Sequence, residues 1–235
     1  MCGIVGILEQ AADDALRLHV QRMTDTLRHR GPDDGGIWTD AAAGAALGHR
    51  RLAVLDLSPA GHQPMHSASG RHVIVFNGEI YNHLALRRQL PEQTWRGHSD
   101  TETLLACVET WGLEIALRRC VGMFAFAVWD CQERTLLLAR DRMGEKPLYY
   151  GWQDGVFFFA SELKAITAHP RFRPEIDRDA LTLLLHYNYI PAPHSIYKGI
   201  RKLRPGCLLG AMSRRRGRQP AGSGCAVGSI SLRRH

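Results

Sequence analysis

Apolar residues fall in two rhythms along the chain. Leu16, Val20, Met23 and Leu27 recur at spacings of four, three and four, which is one face of a helix. Leu104, Leu105, Val108 and Trp111 form a second such face behind Ser99-Asp100-Thr101-Glu102, a capping-box sequence that predicts a helix start. From 122 to 160 the texture is that of strands: Met123–Trp129, Thr135–Ala139, Leu148–Trp152 and Val156–Ala160, separated by turns at 131–133 and 153–155. Further strands are expected at 3–7, 45–49, 51–57 and 72–76, and further helices over 79–90, 162–167 and 178–186. The run Arg30–Gly36 and the segment 58–64 read as loops. Hairpin-like strand runs with helices interspersed, in place of strict alternation, predict an α+β fold of antiparallel sheets covered by helices.

Length and composition narrow the class. The 235 residues suit one sizeable domain, and 45% hydrophobic with 23% charged residues is ordinary for a soluble globular chain. The net charge of +7 is unevenly placed: residues 180–235 carry ten Lys/Arg and no Asp or Glu, leaving 20 basic against 23 acidic side chains before them. The basicity therefore belongs to the C-terminal stretch, and the body is not built to bind nucleic acid. From 207 the apolar period fades, and 207–235 is expected to be a disordered, Arg/Gly-rich tail of aberrant sequence. Six cysteines without a CxxC pair and twelve histidines without HExxH indicate neither a disulfide framework nor a metal site. No apolar run is long enough to span a membrane and no basic leader precedes Cys2, so a cytoplasmic setting is expected.

The chemistry starts at residue 2. Once Met1 is trimmed, Cys2 carries a thiol and a free α-amine on one α-carbon, a nucleophile with its own base. A free α-amine titrates near ~7.7–8.0 and a thiol near ~8.5, so the amine can take the thiol proton at neutral pH. Gly3 is read as room for a substrate and Ile4, Val5 and Ile7 as a buried anchoring strand. In Gly48–Val54 strand alternation sends Arg50 and Arg51 to opposite faces, so one of the two can fork onto a carboxylate. Asn77-Gly78-Glu79 sets an amide side chain beside an unhindered N–H, a pair of donors suited to an oxyanion and worth ~2.7–4 kcal/mol each. Asp100, at a helix start, can pair with an ammonium. A thiolate, an oxyanion hole, a carboxylate clamp and an ammonium partner together describe a site for glutamine.

Seven segments carry a resemblance: Met1–Ile4, Arg30–Asp33, His49–Asp56, Gly61–Pro64, Phe76–Asn82, His98–Glu102 and Arg140–Tyr150. In that order they resemble the glutaminase domain of glutamine-hydrolysing asparagine synthetases, class II amidotransferases of the N-terminal-nucleophile hydrolase fold. The resemblance covers about 1–206, taken as the domain boundary, and implies a four-layer αββα sandwich with two antiparallel sheets and Cys2 at the edge of one. It implies Cys2 as nucleophile, Asn77 and Gly78 as oxyanion hole, Arg51 as α-carboxylate clamp, and Asp100 with Glu79 as partners of the substrate ammonium. Leu52 and Val54 would contribute backbone and wall contacts. The implied reaction releases ammonia and hydrolyses a Cys2 glutamyl thioester to glutamate, with no cofactor in this chain. ATP and Mg would belong to the synthetase domain, whose phosphate loop is absent here, so the chain is expected to be truncated before it and to meet an acceptor domain, if at all, in trans. Two other readings stand beside this one: an idle fragment that only binds glutamine or a partner, and an RNA- or membrane-surface binder that uses the Arg-rich tail.

Overall fold

The computed structural model describes residues 1–212 and the pair 230–231. In chain order the elements are β1 (Gly3–Leu8), α1 (Asp13–Asp25), β2 (Asp34–Asp40), β3 (Ala45–Arg51), β4 (Met65–His66), β5 (His72–Ile80), α2 (His83–Arg87), α3 (Asp100–Trp111), α4 (Leu113–Arg119), β6 (Gly122–Asp130), β7 (Thr135–Arg140), β8 (Tyr149–Gln153), β9 (Val156–Ala160), α5 (Leu163–Thr167), α6 (Arg178–Tyr187), β10 (Ile200–Lys202), β11 (Cys207–Met212) and β12 (Ile230–Ser231). They build two six-stranded antiparallel sheets, ordered β10-β8-β9-β1-β3-β2 and β12-β11-β7-β6-β5-β4.

Period-two alternation decides which side chains join the two sheets. Ile4, Leu47 and Phe159 from the first sheet meet Val75, Ala127 and Leu138 from the second in an apolar layer between them. The opposite face of the first sheet, with Val5, Ile7 and Phe158, is covered by Leu16, Val20 and Met23 of α1 and Ile166 of α5. Ile74, Phe76 and Phe126 on the outer face of the second sheet lie under Leu86 of α2, Leu104 of α3 and Leu117 of α4. Helix, sheet, sheet, helix is the expected αββα order. Each fully buried aliphatic side chain stabilises it by about 1.5–3 kcal/mol. One polar tie crosses the dry layer: His49 of β3, fully buried, donates from Nε2 to the Phe76 carbonyl of β5 at 3.1 Å. Burial holds its pKa down to about 4, so the ring is neutral at pH 7.

Several expectations are corrected. The segment 51–57 leaves the sheet after Arg51, because the Arg51 guanidinium donates to the carbonyls of Asp56 and Ser58 and curls the chain into a loop. The strand starting at His72 does not stop at Phe76; it runs to Ile80 because Asn77, Gly78 and Glu79 keep register with Ala125, Phe124 and Met123. The helix expected over 79–90 shrinks to α2. Gly3 makes room for Leu27, whose Cβ would lie 2.8 Å from a Cβ at that position, and not for a substrate. The boundary at 206 falls too early: β11 pairs with β7 from Leu208↔Ala139 to Met212↔Thr135, and Leu208, Leu209 and Ala211 are buried. Residues 213–229 and 232–235 of the expected tail lie outside the described residues.

At the end of β1 opposite Cys2, Glu9, His19 and His169 bring three ligand-type atoms within 4.8 Å of one another. They are bonded to one another and to Arg171. Glu9 Oε2 meets His19 Nδ1 at 2.8 Å and His169 Nε2 at 3.3 Å, Glu9 Oε1 takes Arg171 Nη1 at 3.2 Å, and His169 Nδ1 accepts the Arg171 backbone N–H at 3.2 Å. That last bond leaves the ring proton of His169 on Nε2, facing the carboxylate. No helix among the described residues is long and apolar enough to cross a membrane.

Candidate active site

The N-terminal ends of β1 and the open ends of β3 and β5 converge on a cleft of about 250 Å3. That is below the roughly 300–1,000 Å3 of clefts for drug-sized ligands, a size that suits a small molecule. Cys2, Arg51, Leu52, Val54, Asn77, Gly78, Glu79 and Asp100, collected from four separate stretches of sequence, all line it.

Cys2 immediately precedes β1. That strand is interior, flanked by β3 and β9, so the thiol stands at the end of a central strand and not on a sheet edge. The Leu52 N–H donates to Cys2 Sγ at 3.4 Å, and the thiol points back to the Leu52 carbonyl at 3.6 Å. Arg30 fixes the backbone beneath it: Nε donates to the Cys2 carbonyl at 2.9 Å while Nη1 pairs with Glu162 at 2.9 Å. Burial pushes the Cys2 thiol up, against the Leu52 hydrogen bond and the positive charges of the chain terminus and Arg51, which pull it down. With Met1 in place that terminal charge sits one residue away. Removing Met1 moves it onto the α-carbon that bears the thiol.

Asn77 is 1% exposed, and its Nδ2 has no hydrogen-bond partner among the described residues. A buried amide left unmatched costs about 1–3 kcal/mol, so the geometry holds a donor ready for an acceptor that enters the cleft. Gly78 supplies a second donor through strand alternation. The Phe76 N–H points off the free side of β5 to Gln63 Oε1 at 2.7 Å, and the Ile80 N–H points the same way to Asp100 Oδ2 at 2.8 Å. Gly78, two residues from each, turns its N–H to that same side. Phe124 opposite it spends its N–H and carbonyl on Asp141, not on the Gly78 ladder. A Cβ at Gly78 would lie 2.7 Å from the Phe124 Cα and collide with the Met123 carbonyl, so glycine is required there.

Asp100 opens α3, whose Ser99 cap accepts the Glu102 N–H at 3.2 Å. The reciprocal half of the capping box is diverted: Glu102 Oε1 takes the Arg96 N–H at 2.8 Å and Oε2 the Gly97 N–H at 3.1 Å, bracing the chain before the helix. Burial, with the Glu79 charge adding to it, pushes the Asp100 carboxyl up to about 6. Arg50 and Arg51 diverge as alternation requires: Arg50 reaches the Gly31 carbonyl at 3.2 Å, and Arg51 turns into the cleft. Arg51 Nη1 donates to the Ser58 carbonyl at 3.0 Å and Nη2 to that of Asp56, so this side chain also shapes the loop that walls the site. Val54 is 67% exposed and stands on the rim of the cleft.

A glutamine amidotransferase domain profile matches residues 1–220. This chain belongs to that family, the class II glutamine amidotransferases. It is 40% identical over 220 residues to "Asparagine synthetase [glutamine-hydrolyzing] 3" of Bacillus subtilis, covering 89% of this chain and 34% of that protein. It is 37% identical over 221 residues to "Putative asparagine synthetase [glutamine-hydrolyzing] 2" of Methanocaldococcus jannaschii, covering 86% and 42%. Against asparagine synthetase B of Escherichia coli the identity is 40% over 169 residues, covering 71% and 30%. The chain thus spans about a third of the length of the curated relatives it matches. The glutamine phosphoribosylpyrophosphate amidotransferase of B. subtilis shares the fold, with a TM-score of 0.64 at 21% identity over 90% of this chain and 47% of that one.

Three further residues that shape this amidotransferase site have no signal in local periodicity. Arg30 holds the Cys2 carbonyl from 28 residues away, Gln63 fixes Phe76, and Asp141, 1% exposed, collects four backbone N–H groups behind Gly78: those of Phe124, Met143, Glu145 and Lys146. The conspicuous runs Arg30-Gly31-Pro32, Gly61-His62-Gln63-Pro64 and Arg140-Asp141-Arg142 contain them, but only tertiary contacts assign them work.

Proposed function

We propose that this chain hydrolyses the side-chain amide of glutamine through a Cys2 glutamyl thioester. Arg51 clamps the α-carboxylate, while Asp100 and Glu79 take the α-ammonium. Leu52 and Val54 border the side chain, and the amide oxygen lies between Asn77 Nδ2 and the Gly78 N–H. In the trimmed chain the Cys2 α-amine accepts the thiol proton. The sulfur then forms a bond to the amide carbon, the carbon–nitrogen bond breaks, and ammonia leaves with the proton from the α-ammonium. Water adds to the thioester with the amine again as base, glutamate departs and the thiol is restored.

The observation that carries this reading is the unmatched buried amide of Asn77 beside the Cys2 thiol in one small cleft. Charge developing on the oxygen in the tetrahedral state would satisfy it, which is where such donors act most strongly. We assign the ammonia to an asparagine synthetase-type reaction, with this chain as the nitrogen-donating part and an ATP- and Mg-using acceptor domain supplied in trans. The uncleaved chain favours a second reading, an idle binding fragment, because Met1 lines the cleft and the Cys2 nitrogen is then an amide without basicity. Glutamate release by the purified chain, measured beside Cys2→Ala and with the N-terminal mass recorded, separates the two. Activity that survives Cys2→Ala would overturn the proposal.

A further inference from the structure

Lys146 is the charge in the cleft that the reaction above leaves without work. Its backbone is clamped on both sides: its N–H donates to Asp141 Oδ2 at 3.1 Å and its carbonyl accepts Arg140 Nε at 2.7 Å. The same Asp141 oxygen holds the Phe124 N–H at 3.2 Å, and Phe124 lies opposite Gly78 in the register, with Met123 opposite Glu79. Lys146 therefore comes to the cleft from the β6 side, where Gly78 and Met123 form the wall. Arg51 comes from the other side, tied to the loop carbonyls of Asp56 and Ser58. The two cations thus enter the cleft from different sides, Arg51 from the loop after β3 and Lys146 from the chain that backs Gly78.

The lysine is 7% exposed, yet no carboxylate or carbonyl among the described residues pairs with its ammonium. Glu79 and Asp100 share the cleft without bridging to it. The stem is enclosed while the ammonium opens on the cleft without a counter-ion, and an anion that enters beside it gains a charge-assisted hydrogen bond. The charges acting most strongly on the Cys2 thiol are those of the chain terminus, Arg51 and Asp100, so Lys146 is not the principal counter-ion of the thiolate. Of the small molecules in the proposed reaction, only glutamate carries a negative charge at the side-chain end.

We propose that Lys146 is a specificity residue that pairs with the γ-carboxylate of glutamate and gives the site a preference for this product over the uncharged amide of glutamine. The inference rests on the glutamine reading of the cleft. Its consequence is competitive retention of product: hydrolysis slows as glutamate accumulates, before glutamine is exhausted.

The test uses the full chain carrying Cys2→Ala, which binds without turnover, and calorimetric titration with L-glutamate and L-glutamine. Lys146→Met is expected to weaken glutamate about tenfold or more, the scale of one charge-assisted hydrogen bond, and to leave glutamine within about twofold. Lys146→Arg should keep the glutamate affinity within about threefold of the parent. Lys146→Gln carries the same expectation as Lys146→Met if the methionine variant fails to fold. Equal weakening of both amino acids would mark Lys146 as structural, and unchanged glutamate affinity would remove its role; either result overturns the proposal. If the Cys2→Ala parent binds neither amino acid, the glutamine reading itself fails, an outcome distinct from binding that is indifferent to residue 146.

Discussion

Asp100→Asn should make the protein more stable and a poorer binder of glutamine. The carboxyl is 5% exposed and pushed up from 3.8 to about 6 by burial and the neighbouring Glu79. At ~1.36 kcal/mol per unit this is about 3 kcal/mol. The sign follows from linkage. A carboxyl whose pKa is raised on folding binds its proton more tightly in the native state, so the native state loses stability as pH rises from about 4 to about 6, and the loss stays constant above that. Asparagine has no charge to desolvate, and its side-chain oxygen still accepts the Ile80 N–H that Asp100 Oδ2 now holds at 2.8 Å. The variant should therefore match the parent near pH 4 and exceed it by about 1–3 kcal/mol at pH 8. For a domain of this size that is roughly 3–10 °C in Tm. Thermal and urea denaturation at pH 4, 6 and 8 measure it, and KM for glutamine should rise at least about tenfold with the loss of the ammonium's anionic partner. A variant less stable than the parent at pH 8, or a stability difference independent of pH, would refute the reasoning that burying this carboxylate costs the fold stability.

Two other outcomes follow from the contacts. Arg30→Ala frees the Cys2 carbonyl and leaves Glu162 without its principal partner, so kcat should fall about tenfold or more with KM little changed, because the nucleophile loses its aim and the amino-acid clamps do not. Glu9 is buried, which alone would raise its pKa, yet hydrogen bonds from His169 and His19 bring it down to about 2. Its contribution, about 3 kcal/mol at ~1.36 kcal/mol per unit, is present above about pH 4.5 and lost as pH falls toward 2. Glu9→Gln should erase that stretch of the acid-denaturation curve while lowering stability at pH 7, and an unchanged acid limb would contradict the assignment.

Much of the architecture is legible in the sequence, and the misses share a physical cause. Strands from 122 to 160 and the faces of α1 and α3 follow from burial on one side, which period and composition record directly. Asp34-Gly35-Gly36 reads as a turn but is a strand, because Arg50 lies over Gly35 and His62 over Gly36, where only glycine leaves room. Asn77-Gly78-Glu79 reads as a strand end because polar residues close most strands; here they face the open end of the sheet layer, which is the site. α4 follows directly on Gly112, whose φ is 77° and which offers no side-chain cap, so it lacks a start signal. Cys2, Asn77, Gly78, Glu79 and Asp100, which the fold gathers in one cleft, are recognisable as residue types in suggestive company. Arg30, Gln63, Asp141 and Lys146 are not, since each works through partners fixed only by the folded chain.

The account stands or falls on covalent chemistry at residue 2. Glutamine mixed with the trimmed protein, quenched in acid within a turnover and analysed by peptide mass, should place one glutamyl group on the N-terminal peptide through a hydroxylamine-sensitive bond. Asn77→Ala should reduce its rate of formation about 100-fold or more. Ammonia released from glutamine at full rate with no adduct on Cys2 would contradict it.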